Sequence, residues 1–258
     1  MKKHDEFRTD TADATGVHGL SLVGRRKENQ DYCLAETRGR ICLAIVCDGL
    51  GGSINGSLAS SLAARMFHHA IFSPRDSPYD QEGEGQRELI CREIAGNIQH
   101  RLSNSPDLLG SSTTLTALII SKGEHPFADI VHIGDTRCYF ETSDNQYRCE
   151  TDDHTIAGDL CRQGNIEYHE ISKADGNNVL TRFLGDCKNT KIQFKSSKDV
   201  PNTAVLCSDG VWGVLHDENG LTIPPHDNSN MAVELVQNAI IRGSSDNCTA
   251  VVVHTGVI

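Results

Sequence analysis

The stretch Ile41–Gly52, ICLAIVCDGLGG, decides how the chain is to be read. Seven uncharged residues run without a polar interruption into Asp48, and glycines follow at 49, 51 and 52. A strand with one wet face alternates apolar and polar residues, so a continuous apolar run reads as a strand covered on both faces. Taken alone, Asp48-Gly49 is a common hairpin turn, because both residues tolerate positive φ. The construction recurs, however, in TAVLCSDG (Thr203–Gly210), in ADIVHIGD (Ala128–Asp135) and in SSDNCTAVVV (Ser244–Val253), where Asp246 leads into a strand. Four independent turns are a poor explanation for four carboxylates at strand ends.

Carboxylates gathered at sheet ends are the hard, anionic oxygen donors that Mg²⁺ or Mn²⁺ prefers. Glycine after Asp48 lets the backbone approach closely enough for the Gly49 carbonyl to add a further oxygen. Clustered aspartates without a cation would repel one another and resist ionisation. No histidine or cysteine set has the spacing of a zinc site.

The remaining strand-like runs are HGLSLVG, DYCLAET, TTLTALIIS, RCYFET and CTAVVVHT. Three segments read as helices. Residues 53–72 carry Leu58, Leu62, Met66 and Ala70 on one stripe, and residues 86–102 carry Leu89, Ile90, Ile94, Ile98 and Leu102. A third opens at Asn228 or Ser229, turns Met231, Leu235, Val236 and Ala239 inward, and stops at Gly243. Between the first two, SPRDSPYDQEGEG reads as an exposed loop. The order lacks regular βαβ alternation, so the expectation is an α+β fold in which sheet packs on sheet with helices outside.

With 258 residues, residues 1–13 are expected to be loose and residues 14–258 to form one domain. A formal charge of −11 argues against nucleic acid or an anionic membrane as partner. No run approaches the roughly 18 apolar residues of a membrane helix, and the N-terminus lacks a secretory apolar core, which predicts a cytoplasmic protein. Ten scattered cysteines without a C-x-x-C pair read as reduced, mostly buried thiols. There is no phosphate-binding GxxxxGK[ST] loop, no cysteine-phosphatase loop and no D-x-D nucleophile motif.

Taken in order, RRKENQD (Arg25–Asp31), CDGLGG, GSSTTLT (Gly110–Thr116), VHIGDTRCY (Val131–Tyr139), TDDHT, NVLTRFLG (Asn178–Gly185), LCSDGVW and SDNCTAVVV resemble the type 2C metal-dependent serine/threonine protein phosphatases. The resemblance runs from about residue 17 to the C-terminus. It implies a four-layer αββα sandwich of two antiparallel sheets with a binuclear metal site at the sheet ends. It further implies that Asp48 bridges two ions, Mn²⁺ or Mg²⁺, with the Gly49 carbonyl on one of them, and that Asp209 and Asp246 complete the other. Asp31 corresponds to an early acid acting as a ligand or as hydrogen-bond partner of the attacking water. Arg26 corresponds to the arginine that holds substrate phosphate, and Asp135 to the carboxylate of a third, weaker metal. Residues 154–171 correspond to a variable flap.

The implied chemistry is direct attack of a metal-bridging hydroxide on phosphoserine or phosphothreonine, with no phosphoenzyme. Phosphorylated proteins and an opposing bacterial serine/threonine kinase are the implied partners, and a monomer the expected state. Two departures bear on this. Gln30 stands where many members have Glu, and Leu50 where eukaryotic members have His, which fits a bacterial origin and leaves the leaving group without the usual acid. A partner-switching phosphatase acting on an anti-sigma-antagonist-like protein, and an inactive phosphoprotein-binding homologue, are the alternatives. RRKENQD and the retained aspartates weigh against both.

Overall fold

The computed structural model describes residues 16–50, 55–73, 78–185, 187–224 and 231–257. Three strands come first, β1 (Val17–Leu22), β2 (Asp31–Arg38) and β3 (Ile41–Asp48), followed by the helices α1 (Gly56–Phe72) and α2 (Glu84–Asn104). The middle of the chain holds β4 (Ser112–Thr113), β5 (Leu115–Ser121), β6 (Phe127–Ile133), β7 (Arg137–Glu141), β8 (Tyr147–Cys149) and α3 (Ile156–Arg162). Then come β9 (Leu184–Gly185), β10 (Gln193–Ser197), β11 (Thr203–Cys207), α4 (Asp209–Leu215), the short pair β12 (His216–Asp217) and β13 (Gly220–Leu221), α5 (Met231–Ile241) and β14 (Cys248–His254).

Two five-stranded antiparallel sheets result, in the orders β1-β14-β11-β7-β8 and β10-β6-β5-β3-β2. Successive side chains of a strand point to opposite faces, and β3 shows what this does with a continuous apolar run. Cys42, Ala44 and Val46 meet Leu206, Val251 and Val253 between the sheets. Leu43, Ile45 and Cys47 face outward against Ala63, Phe67 and Ile98 of α1 and α2. On the other outer face α4 and α5 cover Val205, Cys207 and Val252 with Trp212, Leu235 and Val236. The expected αββα layering follows from three apolar interlayers, each fed by one parity of strand residues.

Several helix readings needed correction. The buried stripe of α1 is Ala59, Ala63, Ala64, Phe67 and Ile71, while Leu58 is 45% exposed and Leu62, Met66 and Ala70 are only partly buried. Small residues let the helix lie close to the sheet, and that close approach outweighs the bulk of the leucine row. In α2, Leu89 faces solvent and Arg87 is buried instead, forked onto Asp129 of β6 at 2.6 and 3.2 Å. Tyr79, in the segment read as an exposed loop, is buried and donates to the same carboxylate at 2.9 Å.

The third helix ends as expected. Gly243 has φ +99°, its N–H donates to the Ile240 carbonyl at 3.1 Å, and Ser244 N–H donates to Ala239 at 3.0 Å, a Schellman closure. The expected caps at Asn228 or Ser229, the start at Ser53 and the loose segment 1–13 lie outside the described residues. Seven of the ten cysteines are buried.

Candidate active site

Neither Asp-Gly pair is a hairpin turn. Asp48 closes β3, Gly49 bridges to Thr113, Asp209 opens α4 directly after β11, and none of these four residues has positive φ. Close approach of neighbouring backbone explains the glycines: a Cβ on Gly49 would stand 2.2 Å from the Gly56 carbonyl oxygen, and one on Gly210 would stand 1.9 Å from that of Asn247.

The strand ends meet at an open cleft of about 840 Å³ lined by Arg26, Asp48, Gly49, Asp135, Asp209 and Asp246, together with Gln30 and Leu50. Six of the seven site residues expected from sequence thus share one cavity. The seventh, Asp31, lies behind it, directly opposite Asp48 across the β2–β3 ladder. Its Oδ2 accepts from Ser208 Oγ at 2.7 Å and Thr249 Oγ1 at 2.6 Å.

Asp48 is held by its backbone. Its N–H donates to Thr114 Oγ1 at 2.9 Å, and its carbonyl accepts from Thr114 N–H at 2.9 Å and Thr113 Oγ1 at 3.0 Å. The GSSTTLT motif is therefore a clamp for the carboxylate. On the other side, Asn247 Nδ2 donates to the carbonyls of Val23 and Glu28, both at 2.9 Å, and its Oδ1 accepts from Gln30 N–H at 2.9 Å. That ties down the loop carrying Arg26. Thr113, Thr114, Ser208, Asn247 and Thr249 are functional supports that reading for ligands alone passed over. Ser208, Asn247 and Thr249 stand within three residues of Asp209 or Asp246, and Thr113 and Thr114 belong to the GSSTTLT motif.

Asp135 is fixed through its backbone surroundings. Trp212 Nε1 donates to its carbonyl at 2.9 Å, and Gly134 N–H donates to His154 Nδ1 at 3.1 Å. Burial holds His154 neutral by pushing its pKa down, which makes the ring an acceptor for that N–H and gives it a structural part. Arg137 forks onto Asp153 at 2.8 and 2.6 Å, with both side chains fully buried, and lies 3.5 Å from the centre of the Trp212 ring.

Burial and mutual repulsion raise the carboxyl pKa values. Asp48 goes well up through burial, then through Asp31, Asp209, Asp135 and Asp246. Asp135 rises through burial and Asp209, Asp31 reaches about 6 mainly through burial, and Asp209 reaches about 7 through burial, Asp246 and Asp31. Asp209 Oδ1 is buried with no hydrogen-bond partner. An orphaned acceptor in a row of carboxylates that resist ionisation together fits a cation. The coordination sphere is not preformed: among the described residues no three acidic, imidazole or thiol groups surround one point, and Asp246 is taken up by Arg26 Nη2 at 2.6 Å. A cation held by Asp246 would compete with Arg26 for that carboxylate.

A sandwich of this kind, with acids at the sheet ends and an arginine at the rim, is the architecture of metal-dependent protein phosphatases. The chain belongs to the protein phosphatase 2C family, which matches residues 18–236; Asp246 lies beyond that match. It is similar to the serine/threonine phosphatase stp of Listeria welshimeri, with 28% identity over 99% of this chain and 97% of that one. The solved serine/threonine phosphatase Stp1 of Staphylococcus aureus superposes with a TM-score of 0.79 at 20% identity, covering 98% of each chain. The catalytic domain of the phosphatase PstP, solved with two manganese ions, superposes with a TM-score of 0.70 at 24% identity, covering 95% of this chain and 98% of that one. The resemblance read from the motifs and the sandwich it implied are both borne out. No helix among the described residues is long and apolar enough to cross a membrane.

Proposed function

We propose that this protein serine/threonine phosphatase removes phosphate from phosphoserine and phosphothreonine in proteins by direct attack of water, with the strand-end aspartates as its metal centre. Asp48, Asp209, Asp246 and the Gly49 carbonyl would hold two divalent cations, Mn²⁺ or Mg²⁺, and Asp135 would serve a third. Such cations supply Lewis acidity, drawing charge from the phosphate oxygens and making water acidic enough to attack at neutral pH. Asp31 sits behind Asp48 with one oxygen committed to Ser208 and Thr249, so it fixes the back of the site and its electrostatics.

Arg26, 52% exposed at the mouth, can turn from Asp246 to the non-bridging phosphate oxygens. Hydrolysis forms one P–O bond to the water oxygen and breaks the P–O bond to the side chain. The released serine or threonine oxygen takes a proton from solvent in the cleft, because Leu50 has none to offer. A serine/threonine kinase is the opposing activity this reading implies.

The observation that carries the proposal is the convergence of four carboxylates on one cleft, Asp48, Asp135, Asp209 and Asp246, with Asp209 Oδ1 buried and unpartnered. It is tested by phosphate release from a phosphothreonine peptide with Mn²⁺, Mg²⁺ or chelator, for the wild type beside Asp48→Asn and Asp209→Asn. The expected result is cation-dependent release that both substitutions abolish while circular dichroism shows a retained fold. Undiminished release by either folded variant would refute the assignment.

A further inference from the structure

The two sides of the cleft differ in chemistry. On one side the Val23–Gln30 loop brings Arg25 and Lys27 to the rim, both exposed and bonded to no described residue. Arg26, between them, reaches Asp246. Asn247 pins this loop at both ends, so the charges project from fixed backbone. Glu28, the acid in the same run, accepts from Ser57 Oγ at 2.8 Å.

The other side is apolar. Val179, Leu180 and Phe183 line it, and Val179 remains 46% exposed. Their backbone is equally fixed: Ile156 N–H donates to the Val179 carbonyl at 3.0 Å, and Thr181 N–H donates to His154 at 2.8 Å. Because His154 also bonds to Gly134, this wall stands on the Asp135 side of the carboxylate row, whereas Arg26 stands on the Asp246 side. In a chain of formal charge −11, exposed Arg25 and Lys27 at the lip of the cleft offer positive charge to an acidic side chain.

Resting on the phosphatase reading above, we infer that the preferred substrate is a bipolar phosphopeptide segment. An acidic residue beside the phosphorylated one meets Arg25 and Lys27, and an apolar residue on its other side meets Val179, Leu180 and Phe183. The first contact is charge complementarity at a screened, exposed position. The second covers apolar surface that water otherwise wets. Neither wall touches the reacting atoms, so both act on which phosphoprotein is accepted.

The test compares kcat/KM, with Mn²⁺ present, on phosphothreonine peptides. One carries an acid before and a leucine after the phosphothreonine, one the reverse, one neutral polar flanks, and two replace the acid by lysine. One of the two bipolar orders should exceed the neutral peptide by about tenfold, with its lysine counterpart poorest. In Arg25→Ser/Lys27→Ser the acid preference should vanish while the leucine preference stays, and in Val179→Ser/Phe183→Ser the reverse should hold. Salt at about 0.5 M gives a second reading on the unmodified protein, compressing the acid preference and sparing the leucine one. Release at equal rates from all five peptides overturns this inference and leaves the phosphatase assignment standing. No release from any of them overturns both.

Discussion

Asp31→Asn should stabilise the cation-free protein, and by an amount that depends on pH in one direction only. Burial raises the Asp31 carboxyl from its ordinary 3.8 to about 6. Well below its ordinary 3.8, at about pH 3 and under, the carboxyl is protonated in both folded and unfolded chains and contributes no difference. As pH rises the unfolded chain releases its proton first, so stability is lost progressively until the folded group also ionises near pH 6. At about 1.36 kcal/mol per pH unit, the loss reaches about 3 kcal/mol above neutrality. Asparagine escapes it. Its carbonyl oxygen can keep the hydrogen bonds from Ser208 and Thr249 while its amide faces Asp48 without adding charge. In chelator at pH 7.5 the variant should melt about 6–10 °C above the wild type, and the gap should close by about pH 3. Saturating Mn²⁺ should reverse the order, because a bound cation stabilises the intact carboxylate cluster more. Thermal melts of both proteins from about pH 3 to 8, with chelator and with Mn²⁺, decide the matter. A variant no more stable than wild type in chelator at pH 7.5 would falsify the claim that the site is electrostatically strained without its cation.

Other substitutions probe the supports. Arg26→Ala should raise KM for a phosphopeptide at least tenfold and also tighten Mn²⁺ binding, since Asp246 loses its competing partner; steady-state kinetics and a Mn²⁺ titration read the two effects separately. Arg137→Met leaves Asp153 buried and unpaired, which should cost about 3–5 kcal/mol in urea denaturation, against under 1 kcal/mol for the exposed pair partner in Arg92→Met. Gly210→Ala drives a methyl group into the Asn247 carbonyl. A loss of soluble protein or of several degrees in Tm is expected, and an unchanged melt would show that the α4 start can shift.

Much of the layering was open to inspection along the chain, because a strand buried on both faces has to be apolar throughout. ICLAIVC could be assigned to the interior before either of its covers was known. The aspartates were equally visible, since each ends an apolar run and four such ends share one chemistry. Helix faces were less legible. Leu58 and Leu89 completed plausible stripes, yet both face solvent, because the sheet surface favours the small residues of α1 and the buried Arg87–Asp129 pair of α2. A charged residue cannot announce its own burial, since its partner lies 42 residues away on another element.

By itself the sequence determined the inventory: two doubly covered sets of strands, carboxylates at their ends, an arginine upstream and the motif order of a phosphatase family. Those are properties of residue type and local spacing. Only the tertiary structure decided what depends on long-range approach. It set Asp31 behind Asp48, opposed Arg26 to Asp246 across 220 residues, and joined Arg137 to Asp153. It also left Asp209 Oδ1 without a partner in a buried row of acids. Such pairings follow from which strand ends the two sheets bring together, and no local pattern in the chain encodes that.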